Sequence, residues 1–363
     1  MDDLNRAAVE GAIAGYVDPD LDADLVAAGA VKDLRITGRD VDLKIELGFP
    51  CASRRAALDE TLRERILAAG AASAKVAIEV RVESHAVQRN LKPISQIKNI
   101  VAVASGKGGV GKSTVAVNLA LGLAQEGART GLLDADIYGP SQPRMLGLSG
   151  QRPASRDGKS LEPLQAYGVE CMSIGFLIDE EQPMIWRGPM VTNALAQIMR
   201  DTRWGPLDYL IVDMPPGTGD TQLHMSQQVP LSGVVIVTTP QDIALLDARR
   251  GLKMFQKVDV SVLGIVENMS THVCSKCGHE EHIFGEGGGV RMATQYSVPF
   301  LGSLPLDIRI REQTDGGRPT VVAEPAGALA RAYRDIARRA AARLASTSKD
   351  YSRLFPKIVV EDT

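Results

Sequence analysis

The chain has 363 residues, 44% of them hydrophobic and 23% charged, and a net charge of only −3. That is enough apolar material for two domains, and it excludes a broad electrostatic attraction to nucleic acid or an anionic membrane, leaving at most a local patch. The opening MDDLNRAAVEGAIAGYVDPD is acidic with no apolar signal core, and no run of about 18 apolar residues occurs, so a cytoplasmic location is expected, without membrane or nucleic-acid partners.

Residues 1–85 read as a small α/β domain. A polar helix is followed by VKDLRITG and VDLKIEL, two strands meeting at a Gly-Arg-Asp turn, in which Val41, Leu43, Ile45 and Leu47 share one face. A helix around Arg54–Ala69 precedes AKVAIEVRV, which alternates again through Val76, Ile78, Val80 and Val82. Residues 86–97, polar and proline-containing, read as a linker. From 98 to 345 strand-like apolar runs alternate with helical patterns: IVAVAS, TGLLDAD, DYLIVDM, GVVIVTTP, VLGIVENM and FLGSLPL. Continuous apolar runs suit strands covered on both faces, so the fold class is α/β, a mostly parallel sheet flanked by helices. The last helix places Leu329, Tyr333, Ile336 and Leu344 on one stripe, and residues 346–363 form a tail.

GKGGVGKST, Gly106 to Thr114, fits GxxxxGK[ST]. Gly106, Gly108, Gly109 and Gly111 let the backbone curl so that N–H groups, including that of Val110, converge on phosphates. Lys112 supplies a point charge and Ser113 a hydroxyl for Mg²⁺. The helix from Thr114, with Val115, Leu119 and Leu123 on one face, aims its positive end at the same anion. A second cation, Lys107, would repel Lys112 unless extra negative charge must be met. It reads either as a finger reaching phosphates held by a neighbouring subunit or as a solvated loop lysine.

The loop with its two lysines resembles the deviant P-loop ATPases that include MinD, ParA and the nitrogenase iron protein, and within them the Mrp/ApbC iron–sulfur cluster carriers. The likeness runs through WRGPM, FGEGGG and LPLDIRIRE, and the N-terminal part is similar to the small domain of iron–sulfur assembly proteins, with Cys51 as its matching thiol. The resemblance implies that Asp136 of DADIYGPS positions the attacking water and that Asp134 supports the Mg²⁺ shell, whereas helix-capping aspartates are the plain alternative. Asp213, ending DYLIVD, matches the second acidic position that holds Mg²⁺, and Gly217 a switch glycine. Asn268, at a strand end, matches the family's base-reading asparagine, its amide offering both a donor and an acceptor to adenine.

Cys274 and Cys277 form a CxxC, able to grip one metal or one iron face of a cluster. Two thiolates do not complete a four-ligand site and no second CxxC exists. With Lys107, this points to a homodimer in which each chain gives two cysteines to a shared [4Fe–4S] cluster, as the resemblance also implies. A Cys₂His₂ zinc site drawing on His272, His279 or His282, and a redox dithiol, are the rival readings. The expected function is an ATP-binding, weakly hydrolysing carrier delivering the cluster to apoproteins. The alternatives are a MinD/ParA-type positioning ATPase and a regulatory NTPase with structural zinc.

Overall fold

The computed structural model describes residues 4–88, 91–177 and 188–347, without the side chains of 188–193 and Asp220. Trp186 and Arg187 of WRGPM, and the tail beyond residue 347, lie outside the described residues.

In the N-terminal domain α1 (Arg6–Ala14) is capped by Asn5, whose side chain accepts from the Ala7 N–H at 2.9 Å. Strands β1 (Val31–Thr37) and β2 (Asp40–Leu47) pair antiparallel across Gly38, whose φ of +61° suits glycine. Helix α2 (Arg55–Ala68) then crosses over to β3 (Ser73–Val80), parallel to β2. Val41, Leu43, Ile45 and Leu47 are all buried, as the alternation predicts. On β3 the pattern weakens: Ile78 is buried, but Val80 is 42% exposed. β3 is an edge strand, and the alternation resumes just beyond it at Val82, which is buried.

The larger domain is built on eight strands: β4 (Ile97–Ala104), β5 (Thr130–Asp134), β6 (Leu164–Ala166), β7 (Val169–Ser173), β8 (Leu207–Asp213), β9 (Gly233–Thr238), β10 (Val262–Glu267) and β11 (Phe300–Ser303). Their order across the sheet is β11-β10-β9-β4-β8-β5-β7-β6, all parallel except β6 on its edge. The apolar runs explain the arrangement, since every residue of β5, β8 and β9 is buried. From β4 the chain moves first to one side and later to the other. The carboxyl ends of the central strands therefore form the crevice where open α/β sheets bind ligands.

Helix α3 (Lys112–Gln125) follows β4 and packs along α5 (Ala328–Ala345), where Gly122 approaches Ala337 so closely that a Cβ would stand 3.2 Å from the Ala337 Cβ. Val115, Leu119, Leu123, Leu329, Tyr333, Ile336 and Leu344 are all buried. Among the described residues no helix is long and apolar enough to cross a membrane.

A buried ionic cluster joins the domains. Glu126, just past α3, accepts from the Ser53 N–H at 2.8 Å, the Ser53 hydroxyl at 2.6 Å and the Arg338 guanidinium at 2.6 Å. Arg338 also donates to Asp20 at 3.1 Å and pairs with Asp335, while Arg54 pairs with Asp20 and donates to the Tyr16 hydroxyl at 2.9 Å. The expected linker is held too: Gln88 donates to the Ser226 carbonyl at 2.7 Å and accepts from Leu231 N–H at 3.1 Å. Strand β4 begins at Ile97, so it takes the last residue assigned to the linker.

Candidate functional site

The glycine loop leaves β4 at its carboxyl end. Gly109 and Gly111 take φ of +82° and +81°, in the left-handed region, and Gly111 caps α3. Gly106 is constrained differently: a Cβ there would lie 2.2 Å from the backbone of Asp247, in α4 (Asp242–Lys257), so only glycine lets the loop pass this helix. Lys107 is exposed, with its carbonyl accepting from the Ser105 hydroxyl at 2.9 Å.

Lys112 is buried, and its ammonium pairs with Asp213 and donates to the Ser113 hydroxyl at 3.2 Å. Asp213 is fully buried at the end of β8, in register with Asp134 on β5, because both strands are parallel and stop at the same level. Gln142 completes the group. Its side-chain nitrogen donates to Asp213 Oδ2 at 2.8 Å and to the Ser113 carbonyl at 3.1 Å. Lys112, Ser113 and Asp213 thus meet at one point, a set of donors and acceptors that fits a magnesium–nucleotide phosphate group. The Ser141 hydroxyl and the Gln142 side-chain oxygen, both buried, have no hydrogen-bond partner among the described residues, as suits a site that takes a hydrated ion.

Asp134 accepts from four donors: the N–H groups of Asp136 (3.2 Å), Ser141 (3.0 Å) and Gln142 (3.1 Å), and the Ser173 hydroxyl (3.1 Å). It anchors the loop that carries Asp136. Burial, reinforced by the charge of Asp213, pushes its carboxyl up to about 7. Asp136 is half-buried beside the same group, and burial raises it as well. Gly217, with φ of +99°, donates its N–H to the Ser105 carbonyl at 3.1 Å, tying the segment after Asp213 to the start of the phosphate loop. Asn268 is 6% exposed, and its amide nitrogen donates to the Val110 carbonyl at 2.9 Å. Here the asparagine expected to read a base braces the phosphate loop.

Cys274 and Cys277 sit on a separate ribbon in which His272–Val273 pairs antiparallel with Glu280–Glu281. The Cys274 N–H donates to the His279 carbonyl at 2.9 Å, and the Gly278 N–H to the Cys274 carbonyl at 2.8 Å, folding CSKCG into a tight knuckle. Cys274 is partly exposed and Cys277 exposed, and both are free. The backbone amides of Lys276 and Cys277 hold the Cys274 thiol below its ordinary pKa, as does the Cys277 thiol. The histidines point elsewhere: His272 Nδ1 is 3.1 Å from the Leu306 carbonyl and His282 Nδ1 is 3.1 Å from the Ser270 carbonyl. Among the described residues no three His, Cys, Asp or Glu side chains converge on a metal-sized point.

A family model for the NUBPL iron-transfer P-loop NTPases matches residues 96–341, and one for iron–sulfur cluster assembly proteins matches residues 6–80. The chain belongs to the former family. It is 59% identical over 269 residues to the iron–sulfur cluster carrier protein of Pseudomonas fragi, covering 74% of this chain and 94% of that protein. To the carrier protein of Escherichia coli it is 47% identical over 344 residues, 93% of this chain and 92% of the other. The iron–sulfur cluster transfer protein NUBPL of Mus musculus is 52% identical over 258 residues, 70% of this chain and 81% of the relative. Among solved structures, a nucleotide-binding protein of Archaeoglobus fulgidus in complex with ADP aligns with a TM-score of 0.55 at 38% identity, over 61% of this chain and 88% of that one. The cell-division ATPase MinD of Pyrococcus furiosus, TM-score 0.52 at 22% identity over 66% of this chain and 97% of that one, shares the fold.

The glycine loop and the acidic strand ends are marked in the sequence, whereas Gln142, Ser173 and the ionic cluster around Arg338 are not. Nothing in the spacing of SQPRM marks Gln142, which reaches Asp213 only because two parallel strands end side by side. Cys51 is 2% exposed, and burial, with the charges of Glu126 and Asp18, pushes its thiol up to about 11. That is the environment of an unreactive thiol.

Proposed function

We propose that this chain is an ATP-hydrolysing carrier that holds a [4Fe–4S] cluster between two copies of itself and transfers it to apoproteins. The observation that carries the reading is the CSKCG knuckle: two free, accessible sulfurs, one of them with a lowered pKa, and no third ligand nearby among the described residues. Thiolate sulfurs are the ligands that hold such clusters, and two per chain complete a four-iron site only when a second copy brings two more. Val273 and Ile283, 51% and 52% exposed beside the knuckle, supply apolar surface for that contact.

At the nucleotide site the backbone of Gly106–Gly111 and the α3 amino end hold the phosphates, Ser113 and Asp213 hold Mg²⁺, and Lys107 reaches the partner's nucleotide. When bound, the metal neutralises charge developing on the phosphate oxygens. Lys112 leaves Asp213 for the phosphates, and Asp136, on the loop anchored by Asp134, orients the attacking water. Asn268, once its amide leaves the Val110 carbonyl, contacts the adenine edge. The Gly217–Ser105 bond then gives nucleotide state a route to the segment after β8, and through the subunit interface to the cluster.

Anaerobic loading with iron and sulfide is the test. A brown dimer with four irons per two chains is expected, together with transfer to an apo-acceptor that changes with MgATP in the parent chain but not in Lys112→Ala. A colourless monomer would remove the cluster reading, and identical transfer rates throughout would remove nucleotide control.

A further inference from the structure

Gln142 is a buried amide in the middle of a charged group, and one half of it is unaccounted for. Its nitrogen is fully used, donating to Asp213 Oδ2 at 2.8 Å and to the Ser113 carbonyl at 3.1 Å. Its backbone N–H is used as well, on Asp134 Oδ2 at 3.1 Å. The side-chain oxygen is buried and has no hydrogen-bond partner among the described residues, and the neighbouring Ser141 hydroxyl is in the same condition. Native proteins keep few such groups, because an amide oxygen taken from water without a replacement donor is costly. An apolar side chain of similar length would fill this volume without that cost, so packing alone does not account for the glutamine.

We infer that Gln142 is a positioning residue for the divalent cation at the nucleotide site. The inference rests on the ATPase reading above and extends it to a residue that no motif marks. The amide does two things at once. Its N–H groups fasten Asp213 and the Ser113 backbone into one rigid unit, fixing the two residues that would hold the metal. Its oxygen, with the Ser141 hydroxyl beside it, is an acceptor for the cation's hydration shell, whose waters need partners that the carboxylate alone does not supply. Lys112 now balances Asp213, so when the lysine turns to the phosphates it is Gln142 that keeps the carboxylate in place.

The test uses the full chain, Mn²⁺ as the probe and ADP as the nucleotide. Mn²⁺ binding to the ADP complex is followed by electron paramagnetic resonance, and ADP binding in EDTA by calorimetry. Gln142→Met is expected to weaken Mn²⁺ by about 10-fold, the effect of losing a group that orients a metal ligand. Its metal-free ADP affinity should stay within about twofold of the parent, because the phosphate loop is untouched. Unchanged Mn²⁺ affinity overturns the inference, and so does a parallel loss of both affinities, which would mark Gln142 as packing only. Gln142→Leu, read in the same way, replaces the methionine variant if that does not fold. A parent chain that binds no ADP at all would instead bring down the ATPase reading, a result separate from any difference between parent and variant.

Discussion

Replacing Arg338 with methionine tests how the N-terminal domain is held. The side chain of Arg338 is 6% exposed, and those of Asp20 and Glu126 are 3% and 0%. Its guanidinium reaches Glu126 at 2.6 Å, Asp20 at 3.1 Å and the Ser53 hydroxyl at 3.1 Å. Burial pulls its pKa down, yet the surrounding carboxylates Asp20 and Glu126 outweigh that and raise it. In the variant Asp20 keeps Arg54, but Glu126 keeps only the two bonds from Ser53 and remains a buried anion. Breaking such a pair from one side costs about 3–5 kcal/mol, against about 1 kcal/mol or less for an exposed pair. The loss falls on the contact between domains, so undocking should precede unfolding of the large sheet. Cys51 reports it: freed of its surroundings, a thiol at about 11 returns toward its ordinary value near 9, raising the thiolate fraction and the alkylation rate about 100-fold. Urea unfolding gives the energy and mass spectrometry of alkylated Cys51 the opening. Adding Glu126→Gln should recover much of the loss, since it removes the stranded charge. A variant that loses under about 1 kcal/mol with Cys51 still protected would refute this account of the cluster.

Three further outcomes are expected. Gly106→Ala drives a Cβ into the Asp247 backbone, so α4 or the loop must shift; a stability loss of about 1–3 kcal/mol and abolished ADP binding by calorimetry are predicted, whereas near-normal binding would show that the helix yields. At Asp208, burial pushes the carboxyl up but hydrogen bonds from Arg129 and Lys98 outweigh it and hold it below its usual value. That stabilisation is complete above about pH 4 and is lost as pH falls through the lowered folded value, so the ~2 kcal/mol deficit of Asp208→Asn at pH 7 should shrink in acid; an equal deficit at pH 7 and pH 3 would count against it. Cys274→Ser should abolish the visible absorption of reconstituted protein without changing its thermal unfolding in the absence of iron, because the knuckle sits outside the core; retained colour would place the cluster elsewhere.

Much of the fold was legible because it follows from local rules. Five consecutive buried residues in β5 or seven in β8 announce a sheet covered on both sides, and the glycine loop must follow a strand and precede a helix. β6 and β7 were not foreseen, since PLQAYGVECMS lacks a long apolar run, and Val80 kept the alternation of a core strand while lying at an exposed edge. The chain by itself therefore determined which long apolar runs become the central strands, where the glycine loop lies and which two thiols share a turn, all settled within a few neighbours along the backbone. Tertiary structure alone decided what happens between segments distant in sequence: that Gln142 meets Asp213, that Asn268 braces Val110, and that Arg338 locks Asp20 to Glu126. Those pairings depend on strand order and on which ends lie at the same level, and a hydrogen bond of 3 Å leaves no trace in spacing when more than fifty residues separate its partners.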